Sequence, residues 1–115
     1  MTAAEFRKMA LSLPEATEAS HMDHPDFRVS GKIFATLAYP DKSRGMVKLS
    51  PKQQTFFMEE EPDAFTPAQG AWGRQGATYV SLRNVTRKTM KKALEAAWTN
   101  NAPKRLSSRV HGQVD

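Results

Sequence analysis

Residues 27–39 read FRVSGKIFATLAY and contain the clearest sheet signal in the chain. Segments 27–29 and 33–39 flank Ser30-Gly31, and glycine accepts the positive φ that a tight hairpin turn requires. In the second segment one set of alternating residues is Ile33, Ala35, Leu37 and Tyr39, and the other is Phe34, Thr36 and Ala38. Because both sets are largely apolar, we predict a central strand of the sheet.

Other secondary-structure patterns lie on both sides of this hairpin. Three more segments have strand patterns, the first of them weak and typical of an edge: 17–22, 46–49 and 78–83. Three segments have helix patterns with capping residues or an apolar stripe: 3–13, 50–58 and 86–100. Residues 62–77 contain prolines and glycines throughout, which predicts an irregular segment.

Short turns between successive strands favour antiparallel pairing. We therefore predict a two-layer α+β domain over residues 1–106, with an antiparallel sheet of about four strands and helices packed on one face. Residues 104–115 are polar, basic and contain serine, so we expect residues 107–115 to form a flexible C-terminal tail.

Composition limits the classes of function. The chain has no cysteine, which excludes disulfides, thiolate nucleophiles and cysteine-based metal centres. It also lacks a run of about 18 apolar residues and a signal-peptide pattern, so we expect a cytoplasmic protein with no membrane span. Residues 1–70 carry eight Lys/Arg and ten Asp/Glu, whereas residues 71–115 carry nine and two. This asymmetry indicates an anionic partner, which could be DNA or another polyanion and which the charge alone does not identify; an ordinary solvated surface is an equal alternative.

The last predicted helix concentrates the positive charge. Arg87, Lys88, Lys91 and Lys92 occupy its first two turns, where the helix dipole disfavours each cation by about 0.3–1 kcal/mol. A phosphate backbone would compensate for this cost, and a solubilising face is the alternative interpretation. Trp98 lies on the apolar stripe of the same helix and is predicted to be buried.

Two further segments contain side chains that are able to bind ligands. The segment HMDHPD, residues 21–26, has two imidazoles and two carboxylates, but its spacing matches no dedicated metal site and favours a hydrogen-bonded loop. No nucleophile accompanies His24 and Asp26, so we identify no catalytic residue and no cofactor. The segment GAWGRQG, residues 70–76, offers Trp72 and Arg74 for stacking or anion contact; a structural loop with Trp72 in the core is the alternative.

Five segments together resemble the MmcQ/YjbR family of small bacterial proteins. They are HPDFRV at 24–29, GKIFATL at 31–37, LSPKQ at 49–53, GAWGRQG at 70–76 and NAPKRL at 101–106. The resemblance implies a compact α/β fold similar to that of secretion chaperones, and the family is commonly described as DNA-binding. It brings no established catalytic residues. Ala77 departs from the family pattern, in which an aromatic residue, usually tryptophan, stands at that place.

The leading hypothesis is a non-enzymatic protein, a monomer or homodimer, that binds nucleic acid non-specifically. Its phosphate contacts are predicted to come from seven cations: Arg74, Arg87, Lys88, Lys91, Lys92, Lys104 and Arg105. One alternative is a protein-interaction or chaperone-like module that uses the sheet face. Another is a small-ligand or metal site built from five residues that would have to converge: His21, His24, Asp26, Trp72 and Arg74.

Overall fold

The computed structural model describes residues 1–106. It contains four helices: α1 (Ala3–Leu11), α2 (Pro51–Glu60), α3 (Gly70–Arg74) and α4 (Arg87–Asn101). It contains six strands: β1 (Thr17–His21), β2 (His24–Val29), β3 (Lys32–Leu37), β4 (Arg44–Lys48), β5 (Phe65–Pro67) and β6 (Ala77–Ser81). No helix within this part of the chain is both long enough and apolar enough to cross a membrane.

All six strands form one antiparallel sheet in the order β1-β2-β3-β4-β6-β5. The α+β class and the antiparallel sheet were predicted correctly, but the number of strands, about four, was wrong. The sequence does not predict β5 because the strand has only three residues and includes Pro67. Proline is tolerated there because β5 is an edge strand. The weak edge strand at 17–22 corresponds to β1, whose residues are all exposed and therefore show no apolar alternation.

The local signals for turns and helix starts correspond to the observed elements. Ser30 and Gly31 have φ of 50° and 79°, as expected for a two-residue hairpin turn between β2 and β3. Capping boxes begin both α1 and α2: the side chains of Thr2 and Ser50 accept from the backbone N–H three residues later, and the residue there bonds back. Such bonds involve neighbours in sequence, which is why the pattern alone predicts them.

Helices α1, α2 and α4 cover one face of the sheet and enclose the main core. Trp98 of α4 is fully buried there, as predicted, and its indole N–H donates to the Pro14 carbonyl at 3.0 Å. A register shift between β2 and β3 interrupts strict alternation, so the consecutive residues Phe34 and Ala35 both reach this core. Leu106 is also fully buried in it. The tail predicted at 107–115 lies outside the described residues.

The second face of the sheet, which we call the open face, carries a different set of side chains. One residue from each of the four inner strands forms a row across it, and none is more than 8% exposed: Asp26, Thr36, Met46 and Tyr79. Tyr39 packs against Tyr79 on this face. The prediction that Tyr39 shares a face with Leu37 was wrong, because Ala38 has a left-handed φ of 57° and breaks the alternation.

The segment at 62–77 is more regular than predicted, since it contains both β5 and α3. The alternative that placed Trp72 in the core is also wrong, because Trp72 is 37% exposed and its ring packs edge-on against Tyr39 at 5.9 Å between centroids. α3 packs tightly at Gly73, where an added Cβ would lie 1.7 Å from the Ala68 carbonyl oxygen. This packing positions Trp72 beside the open face.

Candidate functional site

Two places in the structure gather the residues that the sequence singled out: the solvent side of α4 and the open face of the sheet. On α4, Lys88, Lys91 and Lys92 are exposed, since Met90, Ala93 and Leu94 turn the opposite side into the core. Spacings of three and four residues place neighbouring side chains about 5–6 Å apart at Cβ. Among the residues described, no carboxylate forms an ion pair with any of these three lysines.

A fourth lysine extends this surface across a groove between α1 and α4. The groove has a volume of about 380 Å³, and both Lys8 and Lys91 line it. Lys8 is exposed on α1 and was not among the predicted contacts, because nothing in the sequence shows that α1 packs beside α4. We call Lys8, Lys88, Lys91 and Lys92 the lysine face.

The unfavourable dipole at the start of α4 is compensated by carboxylates of the protein itself, contrary to the expectation from sequence. Glu61 accepts hydrogen bonds from the Thr86 backbone N–H at 3.0 Å and from its hydroxyl at 2.6 Å, which puts a carboxylate at the helix N-terminus. Burial raises the pKa of Glu61, but hydrogen bonds from Thr86 and Thr89 outweigh this and lower it. Arg87 forms an ion pair with Glu5. The unfavourable dipole is therefore not an argument for an external phosphate.

Three of the predicted phosphate contacts lie away from α4's solvent face. Arg105 is paired with Glu15 at 3.3 Å, beyond the C-terminal end of α1. Lys104 is exposed and follows the end of α4, which is about 20 Å long by its rise per residue. Arg74 is exposed on α3, which lies beside the open face and not beside α1 and α4. The structure therefore keeps only the α4 members of the predicted set together.

On the open face, Asp26 is the centre of a polar network. Its side chain is fully buried and accepts from Arg28 Nε at 2.7 Å, from Arg28 Nη2 at 3.1 Å and from His21 Nδ1 at 2.7 Å. The Arg28 hydrogen bond is the largest influence on the pKa of Asp26; burial opposes it, His21 adds to it, and the net pKa is lowered. The bond also gives His21 a defined role, because Nδ1 is the donor and Nε2 remains for other contacts.

A cavity of about 300 Å³ opens beside this network, and we call it the aromatic cavity. Its lining comes from β1, β2 and β3, from the turns that follow β1 and β3, and from α3: His21, Met22, His24, Thr36, Tyr39 and Trp72. Tyr39 joins the rings of the lining, at 5.2 Å from His24 and 5.9 Å from Trp72 between centroids, both edge-to-face. The structure thus brings together His21, His24 and Trp72, with Asp26 behind His21, and leaves Arg74 outside the lining.

Sequence reasoning missed Thr36, Tyr39 and Met22 as members of this cavity. Tyr39 reaches it only through the left-handed Ala38, for which no sequence signal exists. Within residues 1–106 no group of three or more His, Asp and Glu side chains is arranged to hold a metal ion. Both Asp26 oxygens already accept hydrogen bonds from Arg28 and His21, so the structure offers the metal alternative no support.

The sheet-face alternative, a protein-interaction module, expected an apolar docking surface on the open face. The middle of that face is instead covered by the chain's own side chains, and Trp72 and Met22 are the large exposed hydrophobic residues that line the aromatic cavity. The other large exposed hydrophobic residues in the described part, Leu11 and Phe56, lie apart on α1 and α2. This alternative stays a prediction without specific structural support.

Comparison with known proteins agrees with the resemblance seen in the sequence. The solved crystal structure of the Deinococcus radiodurans protein DR2400, described as a DUF419 domain, superposes with a TM-score of 0.74 at 16% identity and covers 96% of this chain and 88% of its own. At that identity the likeness shows the fold alone. A search of curated proteins found no match. The YjbR family profile matches residues 11–100, and the chain therefore belongs to the YjbR family.

Proposed function

We propose that this protein is a non-enzymatic binding protein that contacts nucleic acid without sequence preference through the lysine face. The observation that supports the proposal is the exposure of Lys88, Lys91 and Lys92 on one side of α4 without ion pairs to any described carboxylate. Lys8 adds a fourth charge across the groove. Four predicted contacts are not part of the proposal. Arg74, Lys104 and Arg105 lie elsewhere on the molecule, and Arg87 is already paired with Glu5.

Free lysines of this kind suit a phosphate backbone. Each ammonium group that neutralises a phosphate releases a condensed counterion, so affinity falls with salt at a slope of about −0.9 per contact on duplex DNA. Four contacts predict a log–log slope of roughly −3 to −4. The sequence shows no evident helix-turn-helix motif, so base-specific readout is not part of the proposal.

The test is a fluorescence-anisotropy titration of a mixed-sequence DNA duplex, repeated from about 50 to 200 mM salt. The variant is Lys88→Gln/Lys91→Gln/Lys92→Gln, which removes three charges without touching the buried side of α4. It should weaken binding and make the slope shallower by up to about three units.

A matched variant removes three charges from elsewhere: Lys32→Gln/Lys42→Gln/Arg74→Gln. All three side chains are exposed and lie outside α1 and α4. This control should keep the wild-type slope, since only a general change of net charge remains. The proposal is refuted if wild type shows no binding at about 50 mM salt and tens of micromolar protein, or if the two triple variants lose affinity and slope equally.

A further inference from the structure

The aromatic cavity has a wall of packed aromatic rings, and it lies on the opposite side of the sheet from the lysine face. In its wall the Tyr39 ring packs edge-to-face against His24 on one side and against Trp72 on the other. Such contacts fix the rings before any ligand arrives, so little order has to be gained on binding. A preformed aromatic wall around 300 Å³ favours a flat ring over a branched or extended ligand.

The polar groups of the cavity are two imidazoles, the hydroxyls of Thr36 and Tyr39 and the indole N–H of Trp72, all of which can hydrogen-bond to the edge of a ligand. Asp26 holds the His21 Nδ1–H, so a neutral His21 presents Nε2 as an acceptor. The Nδ1 of His24 is buried and has no hydrogen-bond partner within residues 1–106. No internal bond at that nitrogen therefore fixes its tautomer, and His24 is able to act as either donor or acceptor. Thr36 adds a hydroxyl with the same freedom.

The charges around the cavity restrict the class of ligand further. The lining contains two imidazoles but no Lys, Arg, Asp or Glu among the residues described. The nearby carboxylate, Asp26, already has Arg28 and His21 as partners. The part of a ligand that enters is therefore uncharged, with nitrogen and oxygen atoms on its edge.

Left-handed backbone borders the same cavity. Met22 and Asp23 form the two-residue turn between β1 and β2, and their φ values of 49° and 68° are what such a turn requires. Ala38 next to Tyr39 has φ of 57°, which a non-glycine residue rarely adopts. Met22 is 87% exposed at the cavity, and its unbranched thioether is able to cover a bound ring.

From these observations we propose that the aromatic cavity binds a neutral planar heteroaromatic ring of nucleobase size. The ring lies against Trp72 and Tyr39, and its edge hydrogen-bonds to His21 Nε2, His24 and Thr36. It comes either from a free nucleobase or nucleoside or from an unpaired base of a single strand. The proposal does not depend on nucleic-acid binding at the lysine face.

The test uses the two tryptophans as paired reporters in ¹H–¹⁵N NMR spectra. Trp72 lines the cavity, whereas the Trp98 indole N–H is bonded to Pro14 inside the core. Adenosine, guanosine, cytidine and uridine are titrated separately to about 5 mM. A single-stranded oligothymidine forms another arm, and every titration is repeated in the Lys88→Gln/Lys91→Gln/Lys92→Gln background.

At least one nucleoside or the oligonucleotide should shift the Trp72 indole resonance saturably and leave that of Trp98 in place. Saturable shifts with nucleosides identify a free small ligand, and shifts with the oligonucleotide alone identify a single strand as the source; either supports the proposal. These shifts should persist in the triple-lysine background. Absence of a Trp72 shift in every arm overturns the proposal.

Two variants connect the shift to the cavity. Trp72→Ala removes the stacking wall together with the indole reporter, so its affinity is measured from the backbone amide shifts of the other cavity residues. It should weaken binding roughly 5- to 100-fold. His24→Phe keeps a ring in the wall but removes both nitrogens, and should weaken binding about 5- to 10-fold; it also serves if Trp72→Ala fails to fold. Phe56→Ala is the control, because Phe56 is a 50% exposed aromatic residue on α2, away from the cavity. Equal affinity in wild type and both cavity variants overturns the proposal.

Discussion

Replacing Asp26 with asparagine should destabilise the fold by about 2 kcal/mol near neutral pH. The change keeps the size of the fully buried side chain but removes the charge that accepts three hydrogen bonds. Hydrogen bonds to a charged group contribute about 1.5–3 kcal/mol each. The side chains of Arg28 and His21 are 32% and 41% exposed, so water recovers part of that loss, and the amide oxygen keeps one acceptor.

The pH dependence of the free energy of unfolding tests whether the charge of Asp26 causes this loss of stability. Because Arg28 and His21 lower the pKa of Asp26 in the folded state despite its burial, the stabilisation is present above about pH 4 and is lost as the pH falls through the folded-state pKa. Urea unfolding followed by tryptophan fluorescence should give a midpoint about 1 M lower for Asp26→Asn near pH 7. The gap between variant and wild type should narrow below about pH 4.

Asp41→Asn is the matched control. Hydrogen bonds from Arg44, then from Ser43, lower the pKa of Asp41 to about 2, but this pair lies at an exposed turn. Its loss should change the midpoint less than Asp26→Asn does, since water replaces the partner. A midpoint for Asp26→Asn equal to wild type near pH 7, or a gap that stays constant down to acid pH, would refute the reasoning.

Two other substitutions test how distant parts of the chain meet. Glu61→Gln should cost about 1 kcal/mol in urea unfolding near pH 7, because the charge that accepts from Thr86 at the start of α4 is lost; an unchanged midpoint contradicts this. Gly76→Ala should prevent stable folding, since φ is 116° and the added Cβ would lie 1.9 Å from the Leu49 carbonyl oxygen. Gly31→Ala is its control: it has only a left-handed φ of 79° with open space around it, so it should lose about 1 kcal/mol and stay folded by circular dichroism.

Elements with local signals could be predicted from the amino-acid sequence alone. Thr2 and Ser50 begin helices because their side chains bond to backbone three residues away, and Ser30-Gly31 closes a hairpin because its turn needs positive φ. The apolar period of α4 was enough to place Trp98 in the core and the lysines in solvent. These inferences required no knowledge of which elements are neighbours.

Which residues meet across the sheet depends on long-range packing and could not be predicted from the sequence. The insertion of β6 between β4 and β5, and the packing of α3 near Tyr39, bring Trp72 to His24 although many residues separate them in sequence. Likewise, Glu61 compensates α4 only because the chain returns it to Thr86. Periodicity tells which face of an element is buried, but the partner of that face depends on strand order and on long-range packing, neither of which leaves a local pattern.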